Sequence, residues 1–158
     1  MELAMSAIYF EDVKLGDMLR FGPLTVDRDE VIAFASQYDF QPFHLSDEAA
    51  ATTHFGRVAA SGWHTLALYM KMFLTEVQKS GWQEASLGGI GIDELRWLRP
   101  VYPGDTLHGT AEVIEKSASK SRPEMGIVKS RILMFNQGDE AVLSMIPITM
   151  TRTRIGMA

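Results

Sequence analysis

Residues 63–81, WHTLALYMKMFLTEVQKSG, are the longest helix-compatible stretch of the chain, and their reading decides the fold. Apolar side chains recur at positions 66, 69, 70, 73, 74 and 77, the spacing of one helical face, and Gly81 offers a stop. The start of the stretch is apolar nearly all round, which predicts a buried helix. After it the texture changes. The segments SLGGIGIDELRWL (86–98), DTLHGTAEVIEK (105–116), MGIVKSRILMFN (125–136) and EAVLSMIPITMTRT (140–153) read as strands. Asn136, Gln137, Gly138 and Asp139 make a turn between the last two, which predicts an antiparallel hairpin.

Ahead of the helix, LRFGPLTVD (19–27) has strand residues interrupted by Gly22 and Pro23, the pattern of a bent or edge strand. Asp27 or Asp29 can cap a short helix whose apolar side is Val31, Ile32, Phe34 and Ala35, and Pro42 ends it by residue 41. Ser46 caps a second short helix over 47–53, with Asp47 and Glu48 in its first turn and its end near Gly56. Helices first and strands afterwards predict an α+β fold, an antiparallel sheet packed on one long helix.

Composition narrows the function. At 158 residues the chain suits a single domain, 1–158, with 46% hydrophobic and 22% charged residues. No apolar run approaches the ~18 residues of a membrane span. The N-terminal MELAMSAIYFEDVKLG carries acidic residues where a signal peptide would be basic. With no cysteine, disulfides, thiolate metal sites and a cysteine nucleophile are excluded, and a cytoplasmic setting is the expectation. A formal charge of −5 argues against nucleic-acid binding, which needs a basic field.

The stretch QYDFQPFHLSDEAAATTHFGRVAASGWHT (37–65) places Asp39 and His44 on a loop between two short helices, followed by Ser61-Gly62 at the start of the long one. Each has an ordinary structural reading: a loop carboxylate, a loop imidazole beside Phe43, an N-cap with its turn. His54, His64 and His108 lack helical i, i+4 pairing with another ligand, so no metal site is expected.

Three motifs shift the balance: D-F-Q-P-F-H (39–44), F-G-R-V-A-A-S-G-W (55–63) and L-R-P-V-Y-P-G-D-T-L (98–107). Together with the order of elements, they resemble the MaoC-like dehydratases, a hotdog-fold family that includes the R-specific enoyl-CoA hydratases. The resemblance covers most of the chain. The family's usual first motif is Asp, any residue, Asn, Pro, an aliphatic residue, His. Here Gln41 stands for the Asn and Phe43 for the aliphatic residue, while Ser61 stands where His commonly precedes the helix-opening glycine.

The resemblance implies reversible addition of water to a trans-2-enoyl thioester, normally on coenzyme A, to give the R-3-hydroxyacyl product. No cofactor is implied beyond the coenzyme A that the substrate carries. Asp39 and His44 would be the catalytic pair, since a carboxylate and an imidazole on one loop can contact one water; which is base and which acid stays open. Ser61, Gly62 and Trp63 would bind the substrate, with free N–H groups at the helix start stabilising the charge on the thioester oxygen. A hydroxyl at 61 is smaller than an imidazole, which predicts room beside the acyl C2 and a preference for branched substrates. Phe40, Phe43, Met70 and Phe73 are candidates for an acyl pocket, although core packing explains such residues equally. Arg57, Arg96, Arg99, Lys120 and Arg122, the last two in the loop K-S-A-S-K-S-R-P (116–123), are candidates for the phosphates of coenzyme A.

Two other functions compete. A hotdog acyl-CoA thioesterase would need a carboxylate near the helix N-terminus, and Glu76, the one acidic residue of 63–81, lies about four turns away. A non-catalytic acyl-thioester-binding subunit would have no need of both Asp39 and His44. The long edge strands of a single sheet predict a homodimer or higher homo-oligomer.

Overall fold

The computed structural model describes residues 6–155. The opening MELAM of the N-terminal segment and residues 156–158 lie outside the described residues.

The elements are β1 (Met18–Thr25), α1 (Arg28–Tyr38), α2 (Asp47–Ala51), α3 (Gly62–Val77), α4 (Trp82–Ala85), β2 (Ser86–Trp97), β3 (Thr106–Ala118), β4 (Met125–Phe135) and β5 (Ala141–Arg152). Short 3-10 turns lie at Phe10–Asp12 and Pro42–His44. The strands form one antiparallel sheet in the order β1-β3-β4-β5-β2, with α3 against it. This is the hotdog fold, α+β as the element order predicts.

The middle of the sheet is the meander β3-β4-β5. Its last turn is stapled by Asn136, whose Oδ1 accepts the N–H of Gly138 at 2.9 Å and of Glu140 at 3.2 Å. Alternate residues point inward: Leu107, Gly109 and Ala111 on β3, and Val128, Ile132 and Met134 on β4. Phe21, Leu68, Tyr69, Met72 and Leu143 join several of these in the main core. β1 and β2 are the two edges. The pairing of β1 with β3 shifts between Phe21 and Leu24, at the Gly-Pro break seen in the sequence.

The long helix differs from its sequence reading in two respects. It ends at Val77, and residues 78–81 form a turn. Its buried face is His64, Thr65, Leu68, Tyr69, Met72 and Val77, so Met70 is turned outward at 48% exposure and Trp63 at 61%. α2 also stops at Ala51, two residues short of the expected end.

Gly109 shows how tightly the strands meet the core. A Cβ added there would run into the carbonyl oxygen of Leu133 and the Phe21 ring. Both neighbours are fixed, one as backbone in the ladder and one in the core. Gly109→Ala is therefore expected to cost ~1–3 kcal/mol by overpacking, read as a lower urea midpoint.

Candidate active site

α1 begins with Asp27, whose side chain accepts the Glu30 N–H at 2.9 Å, and ends at Asp39, which leaves helical geometry before Pro42. The Pro42–His44 turn then swings His44 into the interior, where it is 5% exposed. Its ring packs between Phe43 and Phe55. His44 Nδ1 lies 2.6 Å from the carbonyl oxygen of Ala59. A carbonyl only accepts, so Nδ1 carries a proton and donates it there, which leaves Nε2 facing Asp39.

Nε2 is 3.4 Å from Asp39 Oδ2. The same oxygen accepts the Ser61 hydroxyl at 2.6 Å, and Oδ1 accepts the Gln41 side-chain N–H at 2.7 Å. Desolvation alone would push the Asp39 carboxyl up, but the hydrogen bonds from Ser61 and Gln41 and the neighbouring imidazole together outweigh it and hold it below the usual carboxylate range.

Ser61 is the N-cap of α3, fully buried, with its Oγ accepting the Trp63 N–H at 3.3 Å. Among the described residues, the N–H of Gly62 has no acceptor, and Gly62 faces the same cavity as the Asp39–His44 pair. That cavity has a volume of about 540 Å³. Asp39, Gln41, Phe43, His44, Gly62 and Trp63 line it, together with His54, Phe55 and the segment Trp97–Val101. Trp97 sits against the helix start: its Nε1–H donates to the Gly62 carbonyl at 2.9 Å, and its ring meets Trp63 edge to face at 5.6 Å.

The sequence-predicted residues divide accordingly. The structure brings together Asp39, His44, Gly62, Trp63 and Phe43. Ser61 is adjacent: it is buried, donates to Asp39 and does not itself line the cavity. Of the acyl-pocket candidates, Phe40 is 73% exposed, Met70 points outward, and Phe73 packs between Tyr69 and Trp82. None of the three lines this cavity.

The cations scatter. Arg57 lies 4.0 Å above the Tyr102 ring, whose hydroxyl donates to the Phe55 carbonyl beside the cavity. Arg96 is exposed on β2 and Arg99 lines the cavity. Lys120 and Arg122 sit on the β3-β4 turn, beyond the far end of the 13-residue β3 from the Val101 side, a strand length of roughly 40 Å. Within one chain they are remote from the site. Arg122 pairs with Glu124 at 2.8 Å.

In the sequence Gln41 stands out only as a departure from the family motif and Arg99 only as a phosphate candidate, while Trp97, Leu98, Pro100 and Val101, which also wall the cavity, have no chemical signal. Residues 98–101 open the motif L-R-P-V-Y-P-G-D-T-L, and Trp97 lies just before it. Of the other histidines, His64 is buried against Phe34, with burial lowering its pKa, and His108 lies 3.2 Å from Asp139. Among the described residues, no three metal-binding side chains cluster, and no helix is long and apolar enough to cross a membrane. Glu76 pairs with Lys79 at the far end of α3.

A half-buried carboxylate and a buried imidazole beside the open start of the central helix, on a hotdog scaffold, are the arrangement that the sequence resemblance implies for the MaoC-like dehydratases. The chain belongs to that family: residues 12–132 match the MaoC like domain. It is 36% identical to a MaoC-like dehydratase of Rhodospirillum rubrum of known structure, with a TM-score of 0.82, covering 94% of this chain and 99% of that one. It is 32% identical over 148 residues to a mesaconyl-CoA hydratase of Cereibacter sphaeroides, covering 92% of this chain but 41% of the relative. A 3-hydroxybutyryl-CoA dehydratase of Methylorubrum extorquens is 29% identical over 141 residues, with 88% of this chain and 81% of the relative covered. At the level of the family, the chain is a hydro-lyase.

Proposed function

We propose that the chain is an R-specific enoyl-CoA hydratase, equally a 3-hydroxyacyl-CoA dehydratase, which adds water reversibly across the 2,3 double bond of a trans-2-enoyl thioester. The observation that carries this reading is the convergence on one cavity of two acceptors and one donor. In its neutral form His44 offers the Nε2 lone pair, and ionised Asp39 keeps a free lone pair on each oxygen. One water can donate a hydrogen to each and turn its own lone pair toward C3. The open N–H of Gly62, at the positive end of α3, can receive the charge that gathers on the thioester oxygen as the C3–O bond forms. The relatives named for hydrating or dehydrating CoA thioesters support the same chemistry. The reaction needs no cofactor besides the coenzyme A of the substrate.

The test is direct. Purified protein with crotonyl-CoA should cause loss of the enoyl absorbance and yield 3-hydroxybutyryl-CoA of R configuration on chiral analysis. Free thiol released without loss of the double bond would favour a thioesterase instead.

The reading includes a homodimer or a multiple of one. β2 is an edge strand that is exposed along nearly its whole length, with Ile90 at 58% and Ile92 at 47% exposure. Trp97 and Leu98 continue this apolar strip into the cavity wall. Pairing two β2 edges about a two-fold axis would cover the strip, remove the open edge and bring the cavity mouth to the interface. Sedimentation at micromolar concentration should show a dimer or larger, and Ile92→Lys should shift it toward monomer. A stable monomeric parent would remove this part of the reading.

A further inference from the structure

Two of the three positions where the motifs depart from the family pattern, Gln41 and Ser61, make contact with the same carboxylate. Gln41 donates to one oxygen of Asp39 and Ser61 to the other. We propose that Gln41 and Ser61 are positioning residues that hold Asp39 as a permanent carboxylate, so that His44 alone carries the proton, first from water and then to C2. This rests on the hydratase reading above.

The hydrogen-bond directions leave little freedom. Ser61 Oγ accepts the Trp63 N–H, so its own proton goes to its other neighbour, Asp39 Oδ2. The Gln41 amide must turn its nitrogen to Oδ1, since its oxygen would meet a carboxylate oxygen with no proton between them. A proton arriving on Asp39 would strip both bonds of their charge assistance and so weaken them. Among the described residues, His44 is the one ionisable partner within ion-pair distance of Asp39; His54 and Arg99 line the same cavity without reaching it.

His44 is the opposite case. Its Nδ1–H is fixed on the Ala59 carbonyl, so Nε2 can gain and lose a proton without rearranging any other bond. In the hydration direction, the water oxygen bonds to C3 as Nε2 takes a water proton. The C2=C3 electron pair moves toward the thioester, giving an enolate. Nε2 then returns its proton to C2, the thioester carbonyl re-forms, and the imidazole is neutral again. Throughout, Asp39 accepts the second hydrogen of the water and stabilises the transient imidazolium 3.4 Å away.

The experiment is a carbon-13 NMR titration of aspartate carboxyls, with the Asp39 signal identified by its absence in Asp39→Asn. Gln41→Met changes an exposed side chain without adding charge, and Ser61→Ala removes the second donor. In each, the Asp39 midpoint should rise by about one pH unit, the scale of a lost charge-assisted hydrogen bond. With crotonyl-CoA, kcat should fall about tenfold with KM changed less than about twofold, the pattern of a group acting on the reacting step. An Asp39 midpoint that stays in place in both variants overturns the inference. If the parent hydrates no enoyl thioester, the hydratase reading fails, while the titration still decides whether the two residues hold the carboxylate.

Discussion

Asp39→Asn is expected to lower hydratase turnover by about 10²-fold or more, the range of a positioned acid–base group, while leaving the fold intact. The side chain is 15% exposed and contributes no core packing, so the loss should be chemical. An asparagine cannot reproduce the carboxylate, because its NH2 would face one of the donors, Gln41 or Ser61, that the carboxylate now accepts. His44→Ala is expected to lose at least as much turnover and to cost stability as well. Its imidazole is buried between Phe43 and Phe55 and satisfies the buried Ala59 carbonyl, and leaving such an acceptor unpaired costs ~1–3 kcal/mol. Turnover on crotonyl-CoA, read beside urea midpoints, separates the two cases. Near-parental turnover in either variant would remove that residue from the catalytic pair.

Much of the architecture was legible because it rests on local signals. Strand texture, the Asn136 turn, the Asp27 and Ser46 caps and the Pro42 break each act over a few residues, and each appears in the structure. The orientation of the long helix is only partly legible. Tyr69 and Val77 of the apolar stripe are buried and Leu66 and Phe73 pack against the core, but a segment apolar on nearly every side offers little contrast, so Met70 faces outward while Thr65, Leu68 and Met72 are buried. Charge was legible as composition but not as place: the cations at 120 and 122 lie a strand's length from the cavity, a separation that only the pairing of β3 with β4 reveals. Asp39 and His44 could be picked out together because six residues of one loop hold both. The part of Gln41, visible in sequence only as a departure from the motif, and that of Trp97 were not legible, since they depend on contacts made by the folded chain, at 2.7 Å to Asp39 and 2.9 Å to the Gly62 carbonyl.

Gly62→Ala should be damaging for a reason that no helix propensity contains. Gly62 is the first residue of α3, where alanine would ordinarily be acceptable. Here its Cβ would lie 2.5 Å from Trp97 Cε2 and 2.7 Å from Nε1, so the indole must move. Its movement breaks the hydrogen bond to the Gly62 carbonyl and displaces the wall shared with Trp63, beside the N–H proposed to hold the thioester oxygen. A shift of ~1 Å in that wall is enough for about a 10²-fold loss of turnover. Because Trp97 is 45% exposed, stability should change far less than activity. Adding Trp97→Ala to Gly62→Ala removes the collision and should restore part of the turnover. Gly62→Pro in the Trp97→Ala background then isolates the donor, since proline is compatible with the first helical position but carries no N–H. Loss of an oxyanion donor should lower kcat by a further factor of about 10²–10³. Equal kcat in the alanine and proline double variants would show that the Gly62 N–H does not stabilise the reaction, and that the glycine serves only to make room for the indole.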